Sequence, residues 1–152
     1  KISKMFTTSS WKLTVALTML VVFSAMASSS FAPKTSDEIL SHLQGDNFNL
    51  YLLYFYESTN TQTRNSIVEV EGKLKKFLAE HQELMYAKVD LSNPEFRSLG
   101  GVVGLPSTPA ILMIVHGKGV WLSGTNSFLL MERLNDFLPT FKNAAAHHSN
   151  PY

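Results

Sequence analysis

Twenty consecutive residues without a charge, Leu13 to Ala32 (LTVALTMLVVFSAMASSSFA), precede a chain in which short apolar runs alternate with charged segments of helical period. As a helix the uncharged run is about 30 Å long, close to the thickness of a bilayer's hydrocarbon core. It predicts one hydrophobic N-terminal helix over residues 13–32 that anchors the chain in a membrane. The run is strongest only from Leu13 to Ala27, and Ala25-Met26-Ala27 has the small-x-small spacing of a signal-peptidase site, so a cleaved signal peptide is the competing reading.

Beyond Pro33 the pattern changes to that of a folded domain over residues 33–142. Ser36-Asp37-Glu38 supplies a cap and an acidic first turn, and Ile39, Leu40 and Leu43 form the apolar side of a short helix that ends at Gly45. Asn49 to Glu57 (NLYLLYFYE) is almost continuously apolar, the signature of a strand covered on both faces. Ser58 to Asn65 is polar, and from Ser66 the spacing of Ile67, Val70, Leu74, Phe77 and Leu78 predicts a long helix. Its charges, with Glu69 four residues before Lys73 and Glu71 four before Lys75, read as a solvated face. A second strand follows at Leu84–Leu91. Asn93-Pro94-Glu95 opens a short helix through Leu99 that Gly100-Gly101 closes. Ala110 to Val115 is a third strand, His116-Gly117-Lys118-Gly119 a turn, and Val120 to Ser123 a fourth strand. A terminal helix over Phe128–Phe137 presents Leu129, Leu130, Leu134 and Phe137 on one side, and residues 143–152 read as a polar tail.

Charge divides the chain unevenly. Residues 1–12, a basic polar flank ending near Trp11, hold Lys1, Lys4 and Lys12, and no acid occurs before Asp37. From Thr35 onward nine Lys or Arg face twelve Asp or Glu, so the body is mildly acidic and offers no basic surface for a nucleic-acid backbone. With the lysines on the positive-inside side, a retained anchor puts the domain on the opposite side of the membrane. The chain contains no cysteine, which removes disulfides, thiolate metal sites and thiol catalysis in any compartment.

The order of a buried strand, a polar loop opening a long helix, a second strand ending in Val89-Asp90 and a proline-led hairpin resembles the thioredoxin family over residues 36–141. The resemblance is carried by Phe55-Tyr56 at the end of the first strand, by Val89-Asp90, by Pro109 before the third strand and by Gly117 at the hairpin. It implies an α/β thioredoxin-like fold, a mixed central sheet flanked by helices, and a cis-proline at Pro109. It also aligns Asn60-Thr61-Gln62-Thr63 with the family's Cys-x-x-Cys, so that Asn60 and Thr63 are degenerate redox-loop positions, followed by Arg64. Tyr54 stands where the family has its buried proton-accepting acid, and Val68 where it usually has a helix-kinking proline. An amide and a hydroxyl cannot replace thiolates in disulfide exchange near neutral pH. The implied protein is therefore a redox-inactive relative.

Each candidate site has a plainer reading beside it. Thr108-Pro109 is the place at which thioredoxin-like proteins contact extended peptides, and it is also an ordinary loop end. In the family geometry Asn60 to Thr63 would lie near Pro109 and, with His116 and Lys118, form a polar contact patch; the same residue types are common turn and capping residues. Trp121, on a short strand that resembles an edge, is a candidate interface residue, with core packing as the default. His147-His148 lacks the third ligand that a metal site needs. Without paired carboxylates beside a histidine or a phosphate loop, no catalytic residue, cofactor or metal is expected.

These readings predict a non-catalytic, membrane-anchored thioredoxin-like accessory or structural subunit of a larger membrane protein complex. Its expected partners are the other subunits and the lipid bilayer, and its expected place is the mitochondrial inner membrane, in a respiratory complex, with the domain in the intermembrane space. The alternative is a secretory-pathway or periplasmic peptide-binding chaperone whose signal peptide has been removed.

Overall fold

The structure, a computed structural model, describes residues 31–45 and 48–147. The basic flank, the uncharged run as far as Ser30 and the final residues from His148 lie outside the described residues, as does Ala25-Met26-Ala27. Among the described residues no helix is long and apolar enough to cross a membrane.

The chain runs α1 (Ser36–Gln44), β1 (Tyr51–Tyr56), α2 (Arg64–Glu80), β2 (Met85–Asp90), a 3-10 turn (Pro94–Phe96), α3 (Leu99–Val102), β3 (Ala110–Val115), β4 (Lys118–Ser123) and α4 (Ser127–His147). The four strands form one sheet in the order β2-β1-β3-β4, with β1 parallel to β2 and antiparallel to β3. Alternate residues of β1 feed two separate cores, as a strand covered on both faces requires. Leu52 and Tyr54 point towards Val70, Leu74 and Phe77 of α2 and Leu130, Leu134, Leu138 and Phe141 of α4. Tyr51, Leu53 and Phe55 point the other way, into a smaller core with Ile39, Leu43, Phe96 and Leu99. Phe31 closes that second core.

Several elements differ from what the sequence predicts, each for a local reason. The cap of α1 is Thr35, whose hydroxyl accepts the Glu38 N–H at 3.2 Å, while Ser36 is already helical and donates to the Glu95 carbonyl at 2.6 Å. Gly100 and Gly101 do not end a helix but lie inside α3. The β3–β4 hairpin is tighter than expected: His116 and Gly117 alone form the turn, with φ of 49° and 70°. Two positive values are what a two-residue turn needs to match the strand twist, and glycine takes one of them without a Cβ clash.

The largest difference is α4, which continues ten residues past Phe137 to His147 and so includes five residues expected in the tail. Asn126 starts it, its side-chain oxygen accepting the N–H groups of Phe128 and Leu129 at 3.0 and 3.1 Å. Its buried stripe is Leu130, Leu134, Leu138, Phe141 and Ala144, whereas Leu129 and Phe137 face out. Pro139 lacks an N–H for the helical ladder, yet buried Leu138 and Phe141 hold the turns on either side of it.

Candidate functional site

The loop that carries Asn60 and Thr63 lies where β1 and β2 end, and its polar groups are used by the loop itself. Asn60 donates its N–H to the Glu57 carbonyl at 3.1 Å and accepts the Gln62 N–H on its side-chain oxygen at 3.0 Å. The Thr63 hydroxyl donates to the Asn60 carbonyl at 3.4 Å. Thr63 occupies the cap position of α2, but its side chain makes no capping bond; its carbonyl accepts the Ile67 N–H at 2.9 Å. This loop is the turn of a helix entrance, filled by residues that bond to one another.

Asp90 ties the loop down from the neighbouring strand. Its carboxylate accepts the N–H groups of Ser58 at 3.1 Å and Ser92 at 2.9 Å, and Thr59 meets the Ser92 hydroxyl at 2.9 Å. Partial burial opposes the Asp90 charge, but the Ser58 and Ser92 bonds outweigh it and hold its pKa below the usual carboxylate value. On the other side, the Thr108–Pro109 peptide is cis, as the resemblance implies. The Thr108 hydroxyl donates to a Glu57 carboxylate oxygen at 3.1 Å, and the Pro109 carbonyl accepts the Gly124 N–H at 3.2 Å. Asn60, Thr63, Thr108 and Pro109 thus lie at one end of the sheet.

His116 and Lys118 do not join them. His116 is in the turn at the far end of β3 and Lys118 opens β4 beside it, across a six-residue strand, about 20 Å from Pro109. The polar patch expected from all these residues is therefore corrected to the loop and the Thr108–Pro109 turn alone. Trp121 lies on the edge strand β4, half-buried, with its ring 5.2 Å from Phe55 in an edge-to-face contact. Its contacts are those of a core residue with one open side.

Beneath the loop lies Tyr54, the residue that the resemblance aligns with the family's acid. It is completely buried and, among the described residues, its hydroxyl has no hydrogen-bond partner. Its ring stacks on Tyr56 at 5.5 Å, and the Lys88 ammonium lies 4.8 Å over the Tyr56 ring. Lys88 also pairs with Glu71 at 2.6 Å. Burial first, then the Glu71 charge, pushes the Tyr54 and Tyr86 phenols far above their ordinary value, so both stay protonated. The charges of α2 are thus not simply solvated: Glu71 reaches β2, and Glu69 accepts the Ser127 hydroxyl at 3.1 Å. The sequence holds one signal for this cluster, the match of Tyr54 to Lys88 across the parallel pair, which is legible only once register is known.

No thiol stands in this arrangement, so thioredoxin-type redox catalysis has no nucleophile here. Among the described residues no three His, Asp or Glu side chains gather to hold a metal ion.

No protein-family model and no curated relative matches the sequence. Solved structures do match. A thioredoxin from Trypanosoma brucei brucei superposes with a TM-score of 0.59 at 17% identity, covering 76% of this chain and 96% of that one. Thioredoxin O2 from Arabidopsis thaliana gives 0.58 at 18% identity over 74% of this chain and 97% of its own. Fasciola hepatica thioredoxin gives 0.55 at 21%, over 69% and 96%. At these identities the likeness establishes the fold: this chain has the thioredoxin fold, and without a cysteine it cannot perform thioredoxin's dithiol chemistry.

Proposed function

We propose that this thioredoxin-fold chain is a non-catalytic, membrane-anchored accessory subunit that contributes binding surface, not chemistry, to a larger membrane assembly. The loop at Asn60–Thr63 carries the reading. It opens α2 from the end of β1, and the Asn60 side-chain oxygen and the Thr63 hydroxyl bond within the loop itself. Selection for the frame without the reagent fits a domain valued for its surfaces. The paired flank of α2 and α4, joined by the Glu69–Ser127 bond, offers such a surface: Val68 and Phe128 are 66% and 65% exposed. Covering both side chains with a partner chain would take that apolar surface out of water.

The anchor is the uncharged run as far as Ser30, shorter than the expected Leu13–Ala32 because Phe31 belongs to the domain core, and the compartment is the mitochondrial inner membrane, with the domain in the intermembrane space; the lysines of residues 1–12 and the acidic body support that orientation. Mild-detergent extraction followed by sizing tests the assembly. Co-migration with a much larger complex is expected, lost on Phe128→Glu, and migration as a lone 17.0 kDa chain rejects it. A second reading, a peptide-holding chaperone, is favoured by the retained Thr108–Pro109 turn beside the loop. A mature N-terminus near Ser28 would select it.

A further inference from the structure

We infer that the end of the domain opposite Asn60 and Pro109, bearing Phe31, Phe48 and Val102, is seated directly on the surface of a phospholipid bilayer. This rests on the anchored reading above and adds an orientation to it.

The argument begins with where the uncharged run ends. Its penultimate residue, Phe31, is already part of the fold: it is 8% exposed, with its ring 5.0 Å from His42 and 5.3 Å from Tyr51. His42 is in the last turn of α1 and Tyr51 is the first residue of β1, so the chain enters the domain at the end where β1 begins. The run from Leu13 to Ser30 has the length to span about 27 Å as a helix, near the minimum for a hydrocarbon core. At most the three serines Ser28 to Ser30 separate its strongest part from Phe31. A bilayer that takes up this run therefore meets the domain at the end around Phe31.

That end has the side chains for the contact. Phe48 is 57% exposed beside the hairpin turn, its ring 6.2 Å from His116, and Val102 is 64% exposed. Val102 borders an apolar depression with Leu40, Leu43 and Ile114, closed by His116 and Gly117. Aromatic and aliphatic side chains that lie at headgroup level favour the interface, and Lys118, exposed at the same turn, suits the phosphates there. The run of small polar side chains, Ser58 to Thr63, is at the opposite end. In this orientation the Asn60 loop and the Thr108–Pro109 turn are held about 20 Å above the membrane, facing away from it.

The absence of native cysteine makes the test direct. Single variants of the full chain, Phe48→Cys, Val102→Cys, Thr61→Cys and Thr125→Cys, are labelled with an environment-sensitive fluorophore. They are then reconstituted in phosphatidylcholine–phosphatidylglycerol vesicles containing headgroup spin-labelled lipid. Quenching at positions 48 and 102 is expected to exceed that at 61 and 125 by about threefold or more, since the two ends differ by the length of a strand. Flotation with the vesicles but equal quenching at all four positions overturns the orientation and leaves the anchor standing. Failure to float overturns both.

Discussion

The two ends of the sheet use their side chains in contrasting ways. Where β1 and β2 finish, polar groups are abundant and internally matched: Asp90 holds Ser58 and Ser92, Glu57 holds Thr108, and Asn60 holds Gln62. Where they begin, Phe48 and Val102 remain largely exposed around an apolar depression. A frame that positions reagents in other proteins of this fold is closed on itself here, and the unspent surface has moved elsewhere. The missing dithiol is thus not the one feature that sets this end of the sheet apart. Tyr54, fully buried, lies beneath a loop whose hydrogen bonds run within it and to its neighbours.

The sharpest way to break that view is to restore the acid. Tyr54→Asp removes a fully buried ring from the larger core and puts a carboxyl near Glu71. Losing a large aromatic costs about 3–5 kcal/mol before any charge is considered. The buried carboxyl would have a raised pKa, so the folded state binds the extra proton and stability falls as pH rises above about 4. Denaturant titration should find a loss of about 4 kcal/mol or more at pH 7, smaller at pH 4, whereas Tyr54→Asn should lose stability without that pH dependence. An Asp variant as stable as the parent would mean that the site still accommodates the chemistry.

A second test asks whether the frame survives. With Asn60→Cys and Thr63→Cys together, two thiols stand at the entrance of α2. If the backbone keeps the course of a redox loop they should oxidise in air, and closing so short a loop should separate oxidised from reduced protein by about 2 kcal/mol. Thiols that stay reduced would show that the loop has lost its frame as well as its reagents.

The third effect has the opposite sign. The buried Tyr54 hydroxyl has no partner among the described residues, so Tyr54→Phe should be neutral or stabilise by up to about 1 kcal/mol, read as a higher denaturation midpoint. A clear loss would mean that the hydroxyl bonds to something and that this end retains a polar function.

The contrast between the ends also separates what is legible in sequence from what is not. β3 is recovered residue for residue, and β1 within two residues, because strands covered on both faces leave unbroken apolar runs. The segments that hold Asn60 and Thr108–Pro109 fall between elements as expected because the flanking strands are so readable. The second half of α4 is hidden because Pro139 falls just after the expected end at Phe137 and residues from Asn143 read as a tail, unless one sees Phe141 and Ala144 reach the core. The Tyr54–Lys88–Glu71 cluster is hidden for another reason: its members lie on three elements, and register alone brings them together. The patch that joined His116 to Pro109 fails because closeness to the same strand in sequence says nothing of which end a residue occupies.

The smallest effect tests whether the closed end is held by charge. The Asp90 carboxylate is the hub of the loop, accepting two N–H groups from Ser58 and Ser92. Because those bonds favour its ionised form, its folded pKa lies below the unfolded value of about 3.9, and the stability it contributes is present above that pH. As pH falls through the folded pKa the carboxylate protonates, its acceptor strength drops and the contribution is lost. Asp90→Asn keeps an acceptor oxygen in the same place but cannot titrate, so it separates the hydrogen bonds from the charge. Asp90 is only half-buried, and solvent screening limits the charge's share to about 0.5–1 kcal/mol. The expected result is a variant slightly less stable than the parent at pH 6 and nearly equal to it at pH 3. Urea midpoints at the two pH values give the comparison directly, and an unchanged difference between them would mean that the loop is held by its geometry alone.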